Sequence, residues 1–432
     1  MKNWLAIIIF FTTVSVTFAQ GGWYKINSPT DVRLNRLYFL NENTGWVAGD
    51  SGKIYKTTDG TATWIDQSTS TMNNIYDIRF LNENTGWALA WIIDLGSYNN
   101  YGTEIISTTN GGEDWNLQEF SQPDLFLETI YFKNENEYYL GGYPGQFLKS
   151  TDAGLNWNPV VVDSSVFAFF PVLSVDYYSS TLAIASGGYI DIAGVMWKST
   201  NNGLSWFAQA VGPEPVQDFI IFDSLNILGV GGDFEYGTGV VRSSDGGVTW
   251  EHENLNILGT ASSVSFRNRN NGWMCLGFAG ALLFTRDGGS TWETYYTSDS
   301  AEIYQLQFIN DSTGYGVGVD GVIISFSRNP SGIETNQNIF DTDFRLYQNY
   351  PNPFNPTTAI KYYLPEKSAI KLTLYDLNGK EILTLDEGVK SQGSYIVTLN
   401  ARNLSSGVYI YKLLAEHSSG IFSESKKLIH IK

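Results

Sequence analysis

Histidine and cysteine are nearly absent from this chain, and cationic side chains are scarce. Of 432 residues, three are histidines and one is a cysteine. A single thiol, Cys275, cannot close an internal disulfide, so stability must come from a packed core. Its setting, GWMCLGF, gives it the part of a small buried hydrophobe. His252, His417 and His430 have no metal-ligand spacing and no cysteine pair beside them, so no metal site and no cofactor requirement is predicted. A Ser-His-Asp site in the first 340 residues would have to use His252, which sits between Glu251 and Glu253 on a predicted surface strand. No Gly-rich phosphate loop follows a strand. No catalytic residue is assigned. Lys and Arg number 26 against 44 Asp and Glu, a formal net charge of −18, which argues against nucleic acid as a partner.

Long apolar runs are missing as well. The stretch from Trp4 to Phe11 falls short of the roughly 20 residues a membrane span needs. Lys2 before it and Thr17-Phe18-Ala19 after it complete a secretory signal over residues 1–19, and the mature chain is expected to begin near Gln20. No cysteine follows the run, so no lipid anchor is expected there.

What the chain has in abundance is glycine, aromatics and repetition. SSDGGVTW at residues 243–250 recurs as TTDGTATW, TTNGGEDW, STDAGLNW, STNNGLSW and TRDGGSTW. The closing tryptophans, Trp64, Trp115, Trp157, Trp206, Trp250 and Trp292, are 42 to 51 residues apart. That period fits propeller blades of four strands. Upstream of each motif lies a strand, a polar turn and a second strand, as in LYFLNENTGWVAG, and seven such pairs can be found. The seventh lacks its box. Trp23, 41 residues before Trp64, supplies the missing outer strand, so the N-terminal strand is predicted to close the last blade onto residues 322–326. The box acids and amides, Asp59, Asn110, Asp152, Asn201, Asp245 and Asp287, are predicted to accept backbone hydrogen bonds within the turn. The glycines allow positive φ, and the tryptophans pack where blades meet. The repeat is therefore read as a building part.

These motifs resemble the Asp-box, or BNR repeat, of sialidases and sortilin-like propellers, and the NTGW strand pattern resembles the photosystem II assembly factor propellers. The resemblance covers residues 22–328 and implies that the box stands apart from any active site. Sialidases need an arginine cluster and a Tyr–Glu pair. The eight arginines of the ring show no such context.

From residue 341 the pattern changes. Residues 329–340 are polar and aperiodic, a linker. Beyond them Pro351, Pro353 and Pro356 favour an extended edge, Ile370, Leu372 and Leu374 share a strand face, and Asn378-Gly379 signals a two-residue hairpin. About 90 residues of short alternating strands predict an Ig-like β-sandwich. LYQNYPNPFNPTT, LYDLNGKEI, LSSGVYIYKL and KKLIHIK are similar to the type A C-terminal sorting domain of the type IX secretion system. That resemblance implies the type IX machinery as a partner, and passage to the cell surface or beyond.

The expected fold is thus all-β: a seven-bladed propeller over residues 20–328 and a sandwich over 341–432. Strand alternation places the NENTG turns and the boxes on one face. The longer loops and blade links fall on the other, bringing Trp91, Tyr98, Tyr101, Phe126, Phe169, Tyr189, Phe234 and Tyr236 near Asp94, Asp191, Asp233 and Glu235. From these, Trp91, Tyr98, Tyr101, Phe126, Asp191, Asp233 and Tyr236 are the candidate ligand-binding residues. Aromatics beside carboxylates suit a surface protein or a glycan. The expected activity is binding or scaffolding, with a glycan-cleaving propeller and a structural surface-layer component as alternatives.

Overall fold

The computed structural model describes residues 22–93, 100–163, 166–233, 236–295, 301–328, 344–349, 352, 354–376, 379–418 and 420–430. The signal segment 1–19, the linker 329–340, Asp94, Tyr98, Phe234, Glu235, Pro351, Pro353 and Asn378 lie outside them.

Seven four-stranded antiparallel sheets lie between residues 22 and 327, and all but one are built from strands consecutive in sequence. Blades 1 to 6 cover 34–66, 74–119, 126–159, 172–212, 216–254 and 263–295. Blade 7 takes its three inner strands from 303–327 and its outer strand from Gly22–Ile26. The register runs from Gly22 opposite Ser327 to Ile26 opposite Ile323, so the chain's two ends close the ring and no blade is left three-stranded.

In every blade but the second, the second strand is almost wholly buried, and the core lies between neighbouring blades. Trp46 of blade 1 stacks on Phe80 of blade 2 at 3.5 Å, and Trp157 of blade 3 meets Trp87 of blade 2 edge-on at 6.2 Å. The glycine of the NTGW turn is required by close packing. In blades 1, 2, 6 and 7 a Cβ at Gly45, Gly86, Gly272 or Gly314 would enter the ring of Phe39, Phe80, Phe266 or Phe308 on the paired strand.

The boxes link the third and fourth strands of blades 1 to 6. In blade 5, Asp245 Oδ1 accepts from Thr249 N at 2.9 Å and Oδ2 from Thr249 Oγ1 at 2.6 Å. Ser243 Oγ, at the start of the box, donates to Asp245 and accepts from Gly247 N. The polar partner changes to suit the box residue. Where the box carries an amide, Asn110 donates to Asp114 and Asn201 to Ser205; where it carries an acid, the partner is Thr63, Asn156, Thr249 or Thr291 donating. These hydrogen bonds hold the carboxyls of Asp59, Asp152 and Asp245 below their ordinary range, and Asp287 shifts the same way against the opposing effect of its slight burial. A depressed native pKa contributes stability above the unfolded value, near 3.8, that is lost as pH falls through the folded value. Replacing the four box aspartates with asparagine is expected to flatten the acid limb of a melting-temperature profile below about pH 4. An unchanged acid limb would refute this account.

Residues 344–430 form two further antiparallel sheets, one of three strands and one of four, around a core that includes Leu372, Leu374, Tyr411, Leu413 and Leu428. Of the hairpin signal Asn378-Gly379, only Gly379 lies within the described residues. Asp376 N donates to Lys380 O at 3.0 Å, so the strands close outside a two-residue turn, with Gly379 at φ 78°.

Candidate functional site

The ring offers three surfaces. On the first, boxes rest on the first-to-second turn of their own blade: Gly60 N donates to Asn43 O, Gly111 N to Asn84 O and Gly288 N to Asn270 O. In every blade but the fourth, the first residue of the turn closes it as an Asx turn. Asn41, Asn82, Asn134, Asp223, Asn268 and Asn310 each accept two backbone N–H groups. The polar groups of this face are engaged in holding the ring itself.

The second surface is the axial channel, formed by the first strand of every blade. Six of these strands carry a β-bulge at the same place, between Leu34 and Arg36, Ile75 and Asp77, Leu127 and Thr129, Val172 and Ser174, Val216 and Asp218, and Ile303 and Gln305. A bulge re-aims side chains, and here it turns Arg36, Asp77, Glu128, Ser174, Asp218 and Gln305 toward the axis. Many of these groups bind the next blade. Gln305 Oε1 accepts from Leu37 N at 2.7 Å, Asp77 Oδ2 from Ile130 N at 2.9 Å, and Asp218 Oδ2 from Val264 N at 3.0 Å. Asn35 Nδ2 donates to Ile75 O at 3.0 Å. Side chains thus satisfy edge groups of inner strands that no fifth strand covers.

Charge collects in this channel. Arg79 Nε stands 3.6 Å from Asp77 Oδ1, and its guanidinium lies over the Tyr38 ring. Enclosure by the ring pushes the Glu128 carboxyl up to about 7, against the pull of Arg36 and with the help of Asp77. Burial raises Asp218 as well. A raised carboxyl favours the folded state when protonated. Stability from Glu128 is therefore full below its ordinary value of 4.5 and is lost as pH climbs through about 7. Glu128→Gln is expected to remove that decline between pH 5 and 8. A melting profile in this window that matches the parent protein would overturn the assignment.

The third surface carries the longer loops. Trp91 and Phe126 come together, 5.4 Å apart, but Trp91 also stacks on Tyr76 at 4.2 Å and donates its indole N–H to Leu127 O. That side chain locks blade 2 to blade 3. Tyr101 is exposed nearby in sequence, at the start of the returning strand. Phe169 is exposed, while Tyr189 packs against Tyr143 and Phe170 and donates to Pro144 O. Asp191 and Asp233 meet, joined by a residue the sequence did not single out. Carboxylate oxygens of Asp191, Glu214 and Asp233 lie within 4.8 Å of one another, the spacing a hard cation would need. Asp191 N donates to Glu214 Oε2 at 3.1 Å, and Tyr236 N to Asp233 Oδ1 at 2.6 Å. The candidates therefore divide into a packed aromatic pair between blades 2 and 3 and an acidic group shared by blades 4 and 5.

Comparison with known proteins agrees with this architecture. Residues 71–224 match the family described as photosynthesis system II assembly factor YCF48, and residues 348–431 match the family described as secretion system C-terminal sorting domain. The chain carries a Ycf48-like propeller followed by a type IX sorting domain. The photosystem II stability/assembly factor HCF136 of Arabidopsis thaliana is 22% identical over 70% of this chain and 79% of its own length. The assembly lipoprotein Ycf48 of a Picosynechococcus strain is 23% identical over 72% and 89%. Among solved structures, YCF48 bound to D1 peptide superposes with a TM-score of 0.55 at 17% identity over 71% of this chain and 96% of that one. The GH74 enzyme of Niastella koreensis superposes with a TM-score of 0.54 at 13% identity, covering 94% of this chain and 67% of that one. At such identities the structures share the fold.

Cys275 is fully buried, and burial pushes its thiol up to about 12. His252 is exposed on the outer strand of blade 5, with its ring beside Gly212. The match to a sorting domain supports secretion or cell-surface export, and among the described residues no helix is long and apolar enough to cross a membrane.

The channel residues escaped the sequence reading, although a signal exists. A bulge shifts strand parity, so buried apolar residues fall at i and i+3: Leu34 and Leu37, Ile75 and Ile78, Leu127 and Ile130, Val172 and Val175, Val216 and Phe219, Ile303 and Leu306.

Proposed function

We propose that this protein is a secreted or surface-held propeller that binds a partner polypeptide through its loop face and performs no chemistry on it. The observation that carries the reading is the gathering of Asp191, Glu214, Asp233 and Tyr236 from two blades on the face opposite the boxes. Binding groups placed on loops above a rigid scaffold are a common arrangement. The relative solved with a bound peptide supports a propeller of this kind as a peptide receptor. The type IX machinery is the second partner, through residues 341–432. The test is affinity capture from the surface fraction of a type IX-secreting cell with Tyr101→Ala and Tyr236→Ala, both exposed in the parent. Capture should fall about tenfold, as for contact aromatics. Full capture by both variants, with the fold intact, would remove this face.

A glycosidase reading is favoured by one observation. Glu128, raised to about 7 beside the Asp77 carboxylate, has the character of a general acid. Release of reducing sugar from a glycan panel, abolished by Glu128→Gln, would establish it in place of the binding reading.

A further inference from the structure

The same loop face carries an apolar surface that the acidic group borders. Phe169 is 74% exposed, Ile190 58% and Ile192 64%. They are held in place by what lies beneath them. The Phe169 backbone rests on Gly145, where a Cβ could not fit, and Phe170 packs on Tyr189 at 5.4 Å. Tyr189 O accepts from Ile192 N, closing the turn that presents both isoleucines. Asp191 stands at the tip of that turn in the left-handed region, φ 59°. From there its carboxylate meets Glu214 and Asp233, which are each 7% exposed. Exposed branched aliphatics are thus fixed on either side of an exposed aspartate backed by two buried carboxylates. Apolar patches of this kind mark interaction sites. Carboxylate oxygens from three residues gathered within 4.8 Å make a local acidic site that a cationic side chain complements.

We infer that this surface docks a basic, apolar polypeptide segment: an Arg or Lys side chain entering the Asp191, Glu214, Asp233 group, with aliphatic or aromatic neighbours covering Ile190, Ile192 and Phe169. Arginine fits best, since its planar fork donates to several carboxylate oxygens at once. The inference rests on the reading that the loop face binds protein and adds the partner's chemistry. Charge complementarity selects this occupant. An acidic segment is repelled, and a purely polar one leaves the apolar residues uncovered.

The test uses the full mature chain with fluorescent peptides of about 12 residues. One repeats Arg-Leu-Ser, a second repeats Glu-Leu-Ser, and calcium alone is titrated in parallel. The Arg peptide should bind in the micromolar range, at least about tenfold tighter than the Glu peptide, and should weaken as salt is raised. Asp191→Asn and the double change Ile190→Ser with Ile192→Ser should each weaken it about tenfold without moving the melting temperature, since all three side chains are exposed in the parent. Equal binding of the two peptides, or unaltered binding by both variants, overturns the inference. Calcium binding lost in Asp191→Asn, with neither peptide bound, makes the acidic group a cation site and also overturns it. If the Ile190/Ile192 variant still captures a surface partner that Tyr101→Ala and Tyr236→Ala lose, the ring remains a receptor and only the docking chemistry proposed here fails.

Discussion

Deleting residues 341–432 is expected to leave the propeller folded and hold it in the periplasm, with surface or extracellular protein falling to background. The physical basis is that the sorting domain brings its own core. Leu346, Leu372, Leu374, Leu399, Tyr411, Leu413 and Leu428 are all at most 2% exposed within its two sheets. Its small sheet pairs Thr357 to Leu364 with Gly393 to Asn400, and its large sheet pairs Gly407 to His417 with Gly420 to His430. The ring closes through residues 22–26 and 323–327, upstream of the deletion. Separable cores predict separable folding. The truncated chain should therefore show β-sheet circular dichroism and a cooperative melt, while fractionation of a type IX-secreting host places it in the periplasm. Appearance of the truncated chain at the surface would sink the export role of the tail. A truncated chain that fails to melt cooperatively would sink the independence of the ring.

The repeating parts of this fold were legible because each one answers a local steric or hydrogen-bonding demand. A turn with two consecutive left-handed residues has to be written with Gly-Gly or near it, as at Gly246 (φ 72°) and Gly247 (φ 79°). A glycine under a phenylalanine ring has to recur wherever the ring does. The orphan strand at Trp23 was legible by counting. What could not be read was convergence in space. Glu214 lies in a short link, VGPEPV, with no motif of its own, and it meets Asp191 and Asp233 because adjacent blades bring three separate loops to one point. The length of its loop groups Trp91 with the binding aromatics, yet its indole is turned toward blade 3 and held there by Leu127 O. The channel charges were hidden for a different reason. A bulge adds one residue to a strand and breaks its alternation, which masks Asp77 and Asp218, the groups that join one blade to the next.

Replacing Trp23 with alanine is expected to be among the most destabilising single changes in the ring. The strand it belongs to is joined to its blade only by pairing, since the chain enters there and does not continue from Ser327. Trp23 is 6% exposed and meets Phe308 at 5.3 Å, Phe326 at 5.5 Å and Trp273 of blade 6 at 6.2 Å. Its backbone N–H also donates to the Tyr295 hydroxyl of blade 6, so one residue fastens both the closing strand and the neighbouring blade. Truncating a buried tryptophan costs about 3–5 kcal/mol. At this position the loss has a second consequence. If the strand detaches, Ile323–Ser327 becomes an open edge with unpaired backbone groups, which promotes association between molecules. The variant should therefore melt well below the parent and aggregate as it does so. Trp64→Ala gives the comparison, because its strand is tied covalently to blade 1 through the box at Asp59. Trp64→Ala should destabilise without early aggregation. If Trp23→Ala melts like the parent, or no more aggregation-prone than Trp64→Ala, the seam is not the point at which this ring is held shut.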